Sequence, residues 1–138
     1  AAAHSALETL KEIETTGKKI VILGDMLELG KFSKEAHSQV GKKAAECANM
    51  ILTVGFRARA IAEAALDAGF SESAIRQYDQ HEPERAGKEL EFELQEGDIV
   101  LVKGSQSMRL EKTVEEIMAE PERAHELLVR QDAGWEKR

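Results

Sequence analysis

Residues 97–111 read GDIVLVKGSQSMRLE, and this segment joins a strand to a helix. The apolar run 99–102 has the length of a buried strand, and helical spacing of apolar residues follows the turn 103–109. Backbone N–H groups at the start of a helix are unpaired and readily bind a carboxylate or a phosphate. The turn therefore predicts an anion-binding site. The alternative is that Ser105 and Ser107 only cap the helix, since serine is a preferred N-cap.

Apolar runs of strand length recur along the chain at 20–23, 50–54, 74–78 and 99–102. Segments with helical spacing alternate with them, and helices are predicted at 5–13, from Ser33 onward, at 58–68, 84–94 and 110–118, with a short one at 124–129. Such alternation predicts parallel strands joined by helices. The expected fold is α/β, a Rossmann-like and mostly parallel sheet flanked by helices, in a single domain spanning residues 1–138.

Composition excludes several classes of function. The chain has 138 residues, a formal net charge of -7 and only 4% aromatic residues, which argues against nucleic-acid binding by phosphate contacts or base stacking. No apolar run approaches the roughly 18 residues of a membrane span, and no signal peptide is recognisable. Cys47 is the single cysteine, which excludes an internal disulfide and favours a reducing compartment. We expect a cytoplasmic protein with Cys47 as a buried, inert thiol.

The ends of three predicted strands carry polar, glycine-containing turns. In parallel α/β sheets, ligands bind beyond the carboxyl ends of the strands. These ends should therefore gather at one edge of the domain, and their turns are Gly24-Asp25, Gly55-Phe56-Arg57 and Lys103-Gly104-Ser105.

Known catalytic motifs are missing from the sequence. There is no G-x-x-x-x-G-K-[ST] phosphate loop, no G-x-G-x-x-G fingerprint and no H-E-x-x-H zinc motif. His4, His81 and His125 have no partners at catalytic or metal-binding spacing. The chain alone is not expected to hydrolyse ATP, and no metal or cofactor is expected in it.

Four segments together resemble the C-terminal domain of the Mur ligases. They are VILGDMLELG at 21–30, His37 with Val40-Gly41, Thr53-Val54-Gly55, and GDIVLVKGSQSMRLE at 97–111, in the order of the family. Within the family, the chain is most similar to the ligase that adds D-alanyl-D-alanine to UDP-N-acetylmuramoyl-tripeptide. One position departs from the pattern, because the family usually has arginine or a similar residue where Gln106 stands.

The resemblance implies one part of an ATP-dependent amide ligase of bacterial peptidoglycan synthesis. In such enzymes a central domain holds ATP and Mg²⁺ and activates a carboxylate as an acyl phosphate. The C-terminal domain closes over it and presents the attacking amine in a water-poor cleft. The N-terminal and central domains are expected to be absent from this chain, so the isolated chain should be inactive. Its partners would be D-alanyl-D-alanine, UDP-N-acetylmuramoyl-tripeptide and the central domain.

The resemblance also implies substrate-binding roles for particular residues. A dipeptide zwitterion needs cationic or N–H donors for its carboxylate and an acceptor near its amine. Asp25 is the candidate for the ammonium group or the peptide N–H. The candidates for the carboxylate side are the charged groups of Lys103 and Arg109, the amides of Gly104, Ser105 and Ser107, and the hydroxyls of the two serines. Arg57, beside Gly55 in the second turn, is a further candidate. No residue is expected to be catalytic, and none is expected to bind a metal.

Simpler interpretations remain open at this point. Asp25 caps the backbone of its own turn, and Arg57 is a solvated surface charge. Arg109 pairs with Glu111, Glu115 or another acid in the first turn of the helix, and His37 is a packing or hydrogen-bonding residue. Two other functions also remain open: a ligase of the same superfamily for a different amine, such as a single amino acid or a glutamate tail, and a non-catalytic receiver or flavodoxin-like module.

Overall fold

The computed structural model describes residues 2–27, 32–105, 108–117 and 126–129. Helices and strands alternate along these residues. The helices are α1 (Ala2–Glu12), α2 (Lys34–Cys47), α3 (Arg59–Asp67), α4 (Pro83–Glu91) and α5 (Glu111–Ile117), with a short 3-10 helix at Glu72–Ala74. The strands are β1 (Lys19–Gly24), β2 (Met50–Val54), β3 (Ile75–Tyr78), β4 (Ile99–Lys103) and β5 (Glu126–Val129).

The five described strands form one parallel sheet in the order β3-β2-β1-β4-β5. The chain runs outward from β1 through β2 to β3 and then returns to add β4 on the other side of β1. The strand order therefore reverses between β1 and β4. In open parallel sheets this reversal opens a crevice at the carboxyl ends of the strands. The predicted Rossmann-like α/β fold is confirmed.

Each face of the sheet carries its own apolar core. Side chains alternate along β1, so that Val21 and Leu23 face one side while Ile20 and Ile22 face the other. Leu7 of α1, Ala44 of α2 and Ile61 of α3 are among the residues that cover the first face, and Ala86 and Leu90 of α4 and Ile117 of α5 are among those that cover the second. The result is a three-layer sandwich of helices around a sheet.

The carboxyl-terminal segment differs from the prediction. A short helix was expected at 124–129, but residues 126–129 form β5, which pairs in parallel with β4 from Ile99↔Glu126 to Val102↔Val129. A short apolar run has no periodicity that separates helix from strand, and the neighbour that decides it lies far away in sequence. Residues 118–125 and 130–138 lie outside the described residues. The other differences are shifts of helix ends, such as α4 ending at Glu91 rather than at 94.

Thr53 on β2 carries an unsatisfied hydroxyl in the core. Its side chain is 0% exposed, and Oγ1 has no hydrogen-bond partner among the described residues. A buried hydroxyl without a partner loses its hydrogen bonds to water and gains none in the protein. Thr53→Val should therefore raise the free energy of unfolding by roughly 1 kcal/mol. Thr113→Val is the matched control, since Thr113 Oγ1 donates to Pro83 O at 2.6 Å and its loss should destabilise. Urea unfolding measures both changes in free energy. If both substitutions stabilised the protein, or both destabilised it, the prediction would be contradicted.

Asp98 fastens the start of β4 to the start of β1. Burial alone would raise the pKa of Asp98, but hydrogen bonds from Lys18 Nζ (2.9 Å), Lys18 N (2.8 Å) and Gln95 N (3.0 Å) outweigh it, so the pKa is lowered. A carboxyl whose pKa is depressed on folding stabilises the fold above its unfolded value of about 4, and this contribution is lost as the pH falls through the folded pKa.

Asp98→Asn should therefore cost roughly 2 kcal/mol of unfolding free energy at pH 7 and clearly less at pH 3. Urea unfolding at the two pH values tests this difference. Asp67→Asn, at an exposed position near the end of α3, is the control, and its effect on the unfolding free energy should be the same at pH 7 and pH 3. A cost for Asp98→Asn that stays constant between pH 7 and pH 3 would contradict the assignment.

Candidate functional site

Asp25 connects the strand ends at the switch point between β1 and β4. It follows β1 directly, is 4% exposed, and accepts through Oδ1 a hydrogen bond of 2.7 Å from the N–H of Ala58, just before α3. Its backbone carbonyl accepts from the N–H of Ser105, after β4, at 2.9 Å. The carboxylate therefore caps the loop that follows β2, the neighbouring strand. These two bonds join the segments that follow β1, β2 and β4.

Two glycines allow these segments to approach one another. Gly55 has φ +120°, and a Cβ built on it would lie 2.5 Å from Asp25 Oδ1. A Cβ on Gly104 would lie 3.2 Å from the Cα of Gly24 and 2.8 Å from Cδ1 of Leu110. Both positions need a residue without a side chain, Gly55 for its conformation as well as for space.

A cleft of about 570 Å³ opens at this edge of the sheet. It combines one carboxylate, two guanidinium groups, a histidine and apolar surface from aromatic rings and a methionine. Its lining residues are Asp25, Phe32, Phe56, Arg57, Gln80, His81, Met108 and Arg109. Although the whole chain carries a formal charge of -7, two arginines and one aspartate line this cleft, so it presents both positive and negative charge. Such a distribution suits a small ligand that carries both a carboxylate and an ammonium group.

The two arginines of the cleft are held in different ways. Arg57 is exposed, and its Cζ lies 4.3 Å from the centroid of the Phe32 ring, in a cation–π contact. Arg109 is 54% exposed, its Nε donates to Glu111 Oε2 at 3.1 Å, and its backbone has φ 53°. A residue other than glycine in this left-handed conformation is uncommon and carries strain, which is often found at functional sites. The expected pairing of Arg109 with Glu111 is thus present, and it leaves Arg109 on the rim of the cleft.

The turn after β4 was predicted to bind an anion, but the side chains of Lys103 and Ser105 in it are buried. Lys103 is 8% exposed and Ser105 is 3% exposed, and neither lines the cleft. The helix also starts later than predicted: Met108 N donates to Ser105 O at 3.0 Å in a separate turn, and α5 begins only at Glu111. The N–H groups of Gly104 and Ser105 are therefore not the first amides of α5. Ser107, with Gln106, lies outside the described residues, so its predicted role stays a prediction.

Sequence reasoning gave no role to five residues of the cleft: Phe56 and Met108, which lie within the predicted turns, and Phe32, Gln80 and His81, which lie outside them. Gln80 and His81 follow β3, the fourth strand end, which carries no glycine turn and was therefore passed over. The rule that ligands gather at strand carboxyl ends already pointed to them. Phe32 precedes α2 and reaches the cleft across a loop, for which the sequence offers no signal.

Tyr78 ends β3 in a second pocket beside the cleft, with Phe56, Gln80 and His81 lining both. Burial and the hydrogen bond that its hydroxyl donates to Glu89 at 2.7 Å raise the pKa of Tyr78, so the phenol stays protonated. Gly55 N donates to the Tyr78 carbonyl at 2.9 Å, which ties the ends of β2 and β3 together. Tyr78 supports the wall of the site and is not a candidate base.

Another hollow, of about 660 Å³, lies at the opposite edge of the sheet and contains none of the predicted site residues. It is bordered by Lys19 at the start of β1, Asn49 before β2 and Cys47 at the end of α2. Cys47 is 6% exposed, and burial raises the pKa of its thiol. This hollow is a shallow surface between the starts of strands, so the cleft at the carboxyl ends remains the candidate site.

Fold and cleft define a class of protein: a parallel α/β domain with a polar ligand cleft at its switch point. A family model described as Mur ligase, glutamate ligase domain matches residues 1–106, and the chain belongs to this family. It is 31% identical over 119 residues to the UDP-N-acetylmuramoyl-tripeptide–D-alanyl-D-alanine ligase of Bacillus subtilis (strain 168), covering 85% of this chain and 25% of that protein.

A solved structure gives the same relationship. The MurF ligase from Thermotoga maritima in complex with ADP is similar to this chain with a TM-score of 0.68 and 28% identity, covering 88% of this chain and 26% of that one. The chain thus spans about a quarter of the length of both relatives. Among the described residues, no helix is long and apolar enough to cross a membrane.

Proposed function

We propose that this chain is the C-terminal, amine-substrate domain of the bacterial ligase that joins D-alanyl-D-alanine to UDP-N-acetylmuramoyl-tripeptide in the cytoplasm. Membership of the Mur ligase family and the similarity to two such ligases support the proposal. The observation that carries it is the cleft that the carboxylate residue Asp25 lines together with the two arginines Arg57 and Arg109. A dipeptide zwitterion offers the complementary pair of charges.

In this proposal the domain binds and orients the dipeptide. Arg57 and Arg109 bind its carboxylate, and Asp25 binds its amino end from the floor of the cleft. The ammonium group first loses one proton to solvent, and the free amine then attacks the acyl carbon of the activated precursor. As the amide bond forms, the bond between that carbon and the phosphate oxygen breaks, and the departing phosphate takes the second proton that the nitrogen loses. Holding the amine in place makes this attack effectively intramolecular. The buried Lys103, Gly104 and Ser105 support the cleft from behind and add positive charge.

ATP and Mg²⁺ are assigned to a central domain outside this chain. No three His, Cys, Asp or Glu side chains come together as a metal site in the part of the chain that the structure describes. The sequence also contains no phosphate-binding loop of the type G-x-x-x-x-G-K-[ST]. In this proposal the central domain supplies most of the contacts to ATP and Mg²⁺, and this chain binds the dipeptide.

The test is an amide NMR titration of this chain with D-alanyl-D-alanine, with L-alanyl-L-alanine, D-glutamate, L-glutamate and ATP as comparison ligands. We expect shifts confined to the segments around Asp25, Arg57 and Arg109, and only with the D,D-dipeptide. Arg57→Gln should weaken binding about tenfold, because a charge-assisted contact to the carboxylate is lost. Lys11→Gln, at the opposite edge of the sheet, is the control and should leave binding unchanged.

Other outcomes would redirect or reject the proposal. Shifts only with a glutamate isomer would favour the alternative of another amino-acid ligase of the superfamily. An absence of shifts with every ligand at millimolar concentration would contradict dipeptide binding by this domain on its own.

A further inference from the structure

His37 has both ring nitrogens engaged by the backbone although its side chain faces a loop next to the cleft. It lies in the first turns of α2 and is 2% exposed. Its Nε2 lies 3.0 Å from Met26 N, and its Nδ1 lies 2.6 Å from Ser33 O. Because a backbone N–H only donates and a carbonyl only accepts, the ring must be neutral, with its proton on Nδ1. The surrounding backbone therefore selects a single tautomer.

The same imidazole contacts both sides of the cleft. On one side Met26, whose N–H it accepts, is the residue directly after Asp25. On the other side its ring lies against Phe32, with centroids 6.3 Å apart and planes tilted by 38°. Phe32 in turn carries the guanidinium of Arg57 at 4.3 Å. His37 thus contacts the residue next to Asp25 on one side and the ring that carries Arg57 on the other. It does not line the cleft itself.

We propose that His37 is a positioning residue that fixes the separation of the Asp25 carboxylate and the Arg57 guanidinium. A cleft whose charged groups are held in place before a zwitterionic ligand arrives binds that ligand without a cost of reordering those groups. The choice of D-alanyl-D-alanine as the ligand rests on the proposed function. The tautomer and the coupling of the two walls do not depend on it.

The first experiment reads the tautomer in the ligand-free chain. A long-range ¹H–¹⁵N spectrum at neutral pH distinguishes a protonated from an unprotonated imidazole nitrogen. We expect Nδ1 of His37 to be protonated and Nε2 to be unprotonated, opposite to the usual preference of free histidine. A proton on Nε2 would overturn the proposal, since that ring accepts no bond from Met26.

The second experiment separates the acceptor from the ring. His37→Phe keeps a ring against Phe32 but removes the acceptor for Met26 N–H, whereas in His37→Gln the amide oxygen replaces Nε2. Dipeptide affinity should fall about five- to tenfold in His37→Phe and recover to within about threefold of wild type in His37→Gln. Phe32→Leu, which removes only the support of Arg57, should weaken binding about fivefold. Unchanged amide shifts at Thr15 and Asn49, on the opposite edge, show that each variant is folded.

The outcomes distinguish this inference from the proposed function. If the wild-type chain does not bind the dipeptide, the proposed function fails, and the Arg57 Nε–H resonance in ligand-free protein decides the role of His37. That resonance should move in His37→Gln, which removes the ring packed against Phe32, and stay in place in His37→Phe, which keeps a ring there. Equal behaviour of the two variants, in affinity or in this resonance, would overturn the positioning role.

Discussion

Alanine at position 55 is expected to lower the free energy of unfolding by roughly 3 kcal/mol and to abolish ligand binding in the cleft. Gly55 has φ +120°, a conformation that side-chain-bearing residues rarely adopt, and its new Cβ would lie 2.5 Å from Oδ1 and 2.8 Å from Cγ of Asp25. The carboxylate must then leave its place, and its 2.7 Å bond to Ala58 N is lost with it. The substitution therefore both strains the backbone at position 55 and displaces the carboxylate of Asp25.

Gly69→Ala is the control that isolates the strain. Gly69 has φ +95°, but nothing lies within 4 Å of a Cβ built on it. Its substitution should cost only about 1 kcal/mol and leave binding unchanged. Urea unfolding and the dipeptide titration measure both effects. Equal costs for Gly55→Ala and Gly69→Ala would show that the contact with Asp25 contributes nothing.

Gly41→Ala should lower the free energy of unfolding by roughly 2–4 kcal/mol, although alanine favours helices over glycine by about 1 kcal/mol. Gly41 lies where α2 and α3 touch, and its Cβ would lie 2.2 Å from the carbonyl oxygen of Ile61. Backbone cannot rotate away as a side chain can, so the two helices must separate. Because Ala58 N at the start of α3 binds Asp25, dipeptide affinity should fall too.

Lys42→Ala is the matched control in the same helix. Lys42 is exposed on α2, one residue after the contact, and its substitution should change stability by less than about 0.5 kcal/mol. Thermal and urea unfolding test both variants. A stable Gly41→Ala protein with unchanged dipeptide affinity would mean that α2 and α3 adjust without moving Ala58.

Local patterns predicted most of the fold. The runs that became β1 and β4 are apolar over their whole length, because both faces of the sheet are covered, and polar glycine turns end them. Topology alone then brought Asp25 and Arg57 to one edge of the sheet, where both line the cleft. These inferences succeeded because strand length, turn chemistry and parallel connection are all properties of neighbouring residues.

Contacts between distant segments explain what the sequence did not reveal. β5 pairs with the edge of β4, and Phe32 lines the cleft in contact with the guanidinium of Arg57. The start of α5 moved to Glu111 because Arg109 adopts φ 53° and breaks the helical path. Lys103 lies on the last position of β4, opposite Leu23, so the sheet buries a charge that the sequence presented as exposed.

The hydrogen bond from Ser105 N to the Asp25 carbonyl makes the Ser105 amide a reporter of the opening of the crevice. It joins the loops of two strands that are neighbours in the sheet but distant along the chain, so its proton exchanges with solvent only when those loops part. Deuterium uptake at that single amide therefore times the opening of the crevice. A ligand that lies across the crevice slows that uptake in proportion to its occupancy, while amides in the middle of the sheet record only global unfolding.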